Sequence, residues 1–137
     1  MKTSKTIDLL KEMVNLVLSG DITGDVGPEV RKRMPDCLHV EMFRDALHPM
    51  IHYKKKIDAA LSSNNLEDIE EYRYKASGLC YQSSIALGNA QRRYAESKQD
   101  ENLKSTLQGI YNEIYYHKIL MEGYGKMVIE LDKVLMK

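Results

Sequence analysis

The sequence predicts an all-α fold, an elongated antiparallel bundle of three long helices plus a short N-terminal helix, in a single domain spanning residues 1–137. Three observations carry this. From Leu103 the apolar positions run Leu107, Ile110, Ile114, His117, Met121, Tyr124, Val128, Leu131 and Leu135 in unbroken heptad steps, the mark of one helix with one buried stripe. Two upstream segments of similar length carry stripes of the same period. The stretches that separate them are short, so sequential helices must be antiparallel neighbours.

Residues 4–19 predict the first helix, with Ser4 or Thr6 as cap and Gly20 at the position after its end. Its stripe of Ile7, Leu10, Val14 and Val17 is widened by Leu9, Met13, Leu16 and Leu18. So wide an apolar surface has to be covered, either in a groove of the same chain or by a second chain. Ile7, Leu10, Met13, Val14 and Val17 are therefore candidate interface residues, and a homo-oligomer is one expectation.

The run from Gly20 to Gly27 reads as a connector. Asp21, Thr23 and Asp25 alternate like the start of a calcium loop, but Val26 stands where the loop needs glycine and Lys32 where it needs a bidentate glutamate. Gly24 and Gly27 precede a helix start, yet no lysine follows at the spacing of a phosphate-binding loop. Pro28 favours a short helix over Pro28–Met34, ended by Pro35, and Arg31, Lys32 and Arg33 there predict a solvated basic face.

The second long segment runs from about Asp36 to Leu61, on Val40, Phe43, Leu47, Met50, Lys54, Ile57 and Leu61. Pro49 predicts a kink near Ala46–His48, while the unshifted phase of the stripe predicts one continuous helix. Ser62–Asn65 is a turn, and Asn65 a cap for a helix over Leu66–Lys98. That helix repeats small residues every seven positions, Ala76, Ser83 and Ala90 after Ile69, which lets another backbone approach closely. Gly78 and Gly88 would weaken it by about 1 kcal/mol each, so tertiary packing is expected to offset them. The final helix is expected over Asp100–Lys137, with Asp100 or Asn102 as its cap.

Twenty Lys and Arg balance twenty Asp and Glu, which speaks against nucleic acid and an anionic membrane as partners. Cys37 and Cys80 form neither a disulfide framework nor a zinc motif and suit a reducing compartment, so a cytoplasmic setting is expected. The apolar stretch Ile7–Leu18 is interrupted by charge and predicts neither a signal peptide nor a membrane span.

The sharpest candidate chemistry is a metal site. His48 with His52, and Glu113 with His117, each lie four apart on one helix face, and facing pairs would supply three imidazoles and a carboxylate. Register opposes it, because His48 and His52 fall away from the Phe43–Leu47–Met50 stripe whereas His117 falls inward. His117 alone reads as a core imidazole that fixes register, and if buried neutral it would make the fold acid-sensitive. Arg73 is expected at the bundle edge or paired with a carboxylate across it. A helical-bundle nuclease would need four to six residues between an Arg and a His; three lie between Arg44 and His48 and seven between Arg44 and His52, so the spacing is missed on both sides. Lys54–Lys56 beside Tyr53 predicts a solvated face before a nucleic-acid contact. No nucleophile motif occurs, and no cofactor is expected. The sequence thus predicts a non-enzymatic protein-interaction or assembly module, with a metal- or ligand-binding bundle as its alternative and a nuclease third.

Overall fold

The computed structural model describes all 137 residues and is all-helical, without strands. Five α-helices follow in order: α1 (Lys5–Leu18), α2 (Gly27–Arg33), α3 (Val40–Ser62), α4 (Leu66–Lys98) and α5 (Leu107–Leu135), with a 3₁₀ segment over Glu101–Thr106. The three long helices α3, α4 and α5 pack together. None is long and apolar enough to cross a membrane.

Local chemistry sets the boundaries. Ser4 caps α1 by accepting from the Ile7 amide at 3.2 Å, and Gly20 takes φ 85° just beyond its end. Asn65 caps α4 by accepting from the Asp68 amide at 3.2 Å. Helix α3 begins at Val40 rather than near Asp36, because Met34–His39 forms a turn in which the Cys37 amide reaches the Met34 carbonyl at 3.0 Å. It continues through Pro49 unbroken, with Phe43, Leu47, Met50 and Ile57 fully buried on both sides of the proline.

The final helix is shorter than expected. Asp100 caps the Asn102 amide, the Leu103 amide bonds three residues back, and the segment stays 3₁₀ until Leu107. Leu103 is 42% exposed, so nothing holds it as the first member of the seam. The buried face of α5 is Ile119, Leu120, Gly123, Tyr124, Met127 and Leu131. It lies rotated from the predicted seam, sharing only Tyr124 and Leu131, because α1 and α3 cover α5 from sides that a two-helix seam does not anticipate. A Cβ at Gly123 would sit 2.8 Å from Met50 Cε and 3.1 Å from Val14 Cγ1, so this glycine marks where α1, α3 and α5 converge.

Contacts between side chains give the directions. Tyr53 meets Tyr72, Arg73 binds Asp132, and Tyr94 meets Tyr111, so α4 runs antiparallel to both α3 and α5. Inside, α4 buries Ile69, Ala76 and Ala90 of the small-residue line expected from the sequence; Ser83 of that line is half-buried, Ser97 extends it by a further seven residues, and α5 lies along it. At 1.5 Å per residue the 33 residues of α4 span roughly 50 Å against roughly 35 Å for the 23 of α3. The far end of the α4–α5 hairpin therefore projects past α3. Helix α1 braces its flank, where Asn112 accepts from the Ser4 amide at 3.0 Å and Gln108 donates to the Lys2 carbonyl at 2.9 Å.

The connector after α1 is more than a spacer. Ile22, Val26 and Val30 are buried and join the core cluster that runs through α1, α3, α4 and α5.

Candidate interaction surface

The face expected as an interface is closed within the chain. Ile7, Leu10, Met13, Val14 and Val17 are between 0% and 6% exposed, packed in the groove that α3 and α5 leave open. The width of that stripe reflects neighbours on two sides within the chain.

The four candidate metal ligands are not brought together. No three His, Cys, Asp or Glu side chains converge anywhere in the molecule. His48 and His52 lie outward on α3, beside the α1–α2 connector, where they line a shallow cavity of about 290 Å³ with Thr23, Gly24, Asp25 and Lys55. Glu113 and His117 lie on α5, 3.6 Å apart, and Glu113 is engaged by Arg93 from α4 at 2.6 Å. That pairing holds the Glu113 carboxyl below its ordinary value, chiefly through the hydrogen bond from Arg93, against a smaller opposing effect of burial. His117 is half-buried at the edge of the seam rather than enclosed in it, and it faces a carboxylate. The acid sensitivity expected of a neutral imidazole enclosed in the core loses that premise.

Asp25, a candidate calcium ligand by pattern, is held by an arginine instead. Arg44 Nε and Nη2 donate to its two carboxylate oxygens at 3.0 and 3.1 Å, the Gly27 amide donates at 3.0 Å, and His48 Nε2 lies 3.4 Å away. The Arg44 hydrogen bond, with help from Gly27, brings the Asp25 carboxyl down to about 2. Arg44 also donates to Glu41 at 2.8 Å, so its guanidinium is committed to structure, and the Arg44–His48 pair of the nuclease expectation meets on a carboxylate of the chain itself.

Two open grooves meet at Tyr116 and His117. One, of about 290 Å³, lies between α3, α4 and α5 and includes Asp45, Leu79, Gln82 and Leu120; the other, of about 370 Å³, includes Ile7, Met42 and Asn112. Burial, with Asp45 nearby, raises the Tyr116 phenol above its ordinary value, and burial pushes the Tyr124 phenol up to about 12. Both phenols stay neutral at physiological pH and act here as amphipathic packing groups.

The surface that sequence reasoning missed is the outer face of α4. Tyr74 is 79% exposed, Tyr81 66% and Ile85 47%. Gly78 and Gly88 lie on the same face, and a Cβ added to either would meet nothing within 4 Å. With Glu71 before and Arg92 after, the stripe runs Glu71, Tyr74, Gly78, Tyr81, Ile85, Gly88, Arg92 at heptad spacing, opposite the buried Ile69–Ala76–Ala90 line. Glu71 makes a surface contact with Lys75 at 3.0 Å, and Arg92 with Asn89 at 2.8 Å, both within the same helix. The signal was present in the sequence. The sequence predicts that tertiary packing offsets the two glycines, whereas in the chain nothing lies within 4 Å of a Cβ at either.

Comparison with protein-family models, with curated proteins and with solved structures finds no match to this chain.

Proposed function

We propose that this chain is a non-enzymatic protein-interaction or assembly module whose binding face is the outer side of α4. The observation that carries the proposal is the pair of open glycines set within an exposed Tyr–Tyr–Ile stripe. Each glycine weakens an isolated helix by about 1 kcal/mol relative to alanine and gains nothing in return within the monomer. What glycine offers at such a place is room for another backbone or a large side chain. Tyrosine supplies large, stiff, amphipathic contact area and is enriched where proteins meet. Free, half-buried Cys37 and Cys80 fit work in a reducing compartment such as the cytoplasm.

The test is position-specific cross-linking in cells that make the protein. A photo-crosslinking residue in place of Tyr81 is expected to give an adduct of one discrete mass. The same residue in place of Glu130, exposed on α5, is expected to give none. No adduct at position 81, or the same ladder at both positions, refutes the assignment of this face.

A further inference from the structure

The outer face of α4 has the pattern of a surface that fits itself. We propose that two copies of this chain form a two-fold dimer in which their α4 helices pack antiparallel and cross near Tyr81. The inference rests on the assignment of α4 as the binding face and names what covers it.

The stripe is self-complementary when inverted. Gly78 and Ile85 lie three and four residues either side of Tyr81, so on an antiparallel pair Ile85 of one copy falls opposite the second copy's Gly78. Tyr74 and Gly88 lie seven residues either side, so each Tyr74 falls opposite the second copy's Gly88. Both glycines are open, with space for a facing side chain. Tyr81 meets its own symmetry mate at the centre, where two rings can pack edge to face or offset. Glu71 falls opposite the second copy's Arg92, an acid facing a base at both ends of the interface.

A parallel pair would do the reverse. It would set Tyr74 against Tyr74 and Gly78 against Gly78, leaving voids beside clashes, and it would put Glu71 beside Glu71 and Arg92 beside Arg92. An isologous interface needs each patch to be its own complement, and only the antiparallel arrangement satisfies that here. On either side of the central tyrosine pair, the dimer sets large against small and acid against base.

The size of the patch sets the strength. Burying four tyrosines and two isoleucines with the intervening glycine backbone removes on the order of 1,000 Å², at the low end of specific interfaces. The dimer should therefore dissociate on dilution, with a constant in about the micromolar range.

The experiment is sedimentation equilibrium or light scattering on the whole chain, from about 1 µM to a few hundred micromolar, so that mass action reports the association. The mass is expected to rise from 15.8 kDa towards twice that value. Glu71→Arg and Arg92→Glu are each expected to weaken dimerisation at least about tenfold, since each places like charges opposite one another. Their equimolar mixture is expected to restore it, because the all-basic stripe ends of one chain then face the all-acidic ends of the other. Both sites are exposed, and unchanged circular dichroism melts of the dilute variants would show that folding is intact.

A wild-type chain that stays at 15.8 kDa throughout overturns the dimer, as does a dimer whose strength ignores both substitutions and their mixing. A monomeric chain that still gives a discrete heterologous adduct at position 81 would sink the dimer and leave the binding face standing. A monomeric chain with no adduct would sink both.

Discussion

Replacing the glycines of α4 separates the two faces of the helix in energy. Gly78→Ala and Gly88→Ala each add a Cβ into open space, so nothing in the monomer resists the change. Each should recover the helix-propensity difference, about 1 kcal/mol. The two sites are ten residues apart, roughly 15 Å along the axis, and share no partner, so the effects should add to about 2 kcal/mol. For a chain of this length that is a rise of about 4 °C in Tm per substitution. Gly123→Ala is the internal contrast. It gains the same propensity but pushes its Cβ against Met50 Cε and Val14 Cγ1 at 2.8 and 3.1 Å. The thioether end can shift, whereas the valine is held in the core, and overpacking costs about 1–3 kcal/mol, so this substitution should be destabilising or at best neutral. Thermal and urea unfolding at protein concentrations well below the proposed dimer's dissociation constant reads all three. If Gly78→Ala and Gly88→Ala are neutral or destabilising there, something already occupies the outer face of α4, and its description as open is wrong.

Further outcomes follow from the core and the ion pairs. Leu10→Ala, at a fully buried site on α1, should cost about 2–5 kcal/mol in urea unfolding; a loss under about 1 kcal/mol would mean that α1 is not part of the core. The Asp25 carboxyl is depressed in the folded chain, so its stabilising contribution is present above its ordinary value near 3.8 and is lost as pH falls towards about 2. Asp25→Asn should therefore flatten the fall in unfolding midpoint between pH 5 and pH 2.5, and parallel profiles for the two proteins would discount the Arg44 pairing. Zinc-loaded and desalted protein should retain far less than one equivalent, since His48 and His52 do not meet Glu113 and His117; a stoichiometric ion lost on His117→Ala would contradict that placement.

Much of the architecture was legible because heptad stripes and caps are local. The phase of Val40, Phe43, Leu47 and Met50 carried α3 through Pro49, and Asn65 marked the start of α4. The errors arise where a helix touches more than one neighbour. A heptad seam describes contact with a single partner, whereas α5 meets three helices, so its buried face turned towards Ile119, Gly123 and Met127. Contact with two neighbours also accounts for the width of the α1 stripe, which packs as a wedge between α3 and α5, the first of the two coverings the sequence allows. The pairing of Asp25 with Arg44, 19 residues away, has no periodic signature, so the connector could be read only as spacer.

The two faces of α4 use one device with different outcomes. Inward, small residues at heptad spacing let α5 lie close along Ala76 and Ala90. Outward, Gly78 and Gly88 lie ten residues apart on one stripe of alternating three- and four-residue steps, interleaved with Tyr74, Tyr81 and Ile85. A helix selected only to close the monomer would carry alanine or a charged helix former at those outward positions, and exposed tyrosines would have no reason to alternate with them in register. The inward line has its helix. The outward line has gaps at its glycines, large side chains placed to enter those gaps in an inverted copy, and opposite charges at its two ends. Physical economy therefore favours a helix as its occupant, and the inversion symmetry of the stripe favours that helix being α4 itself.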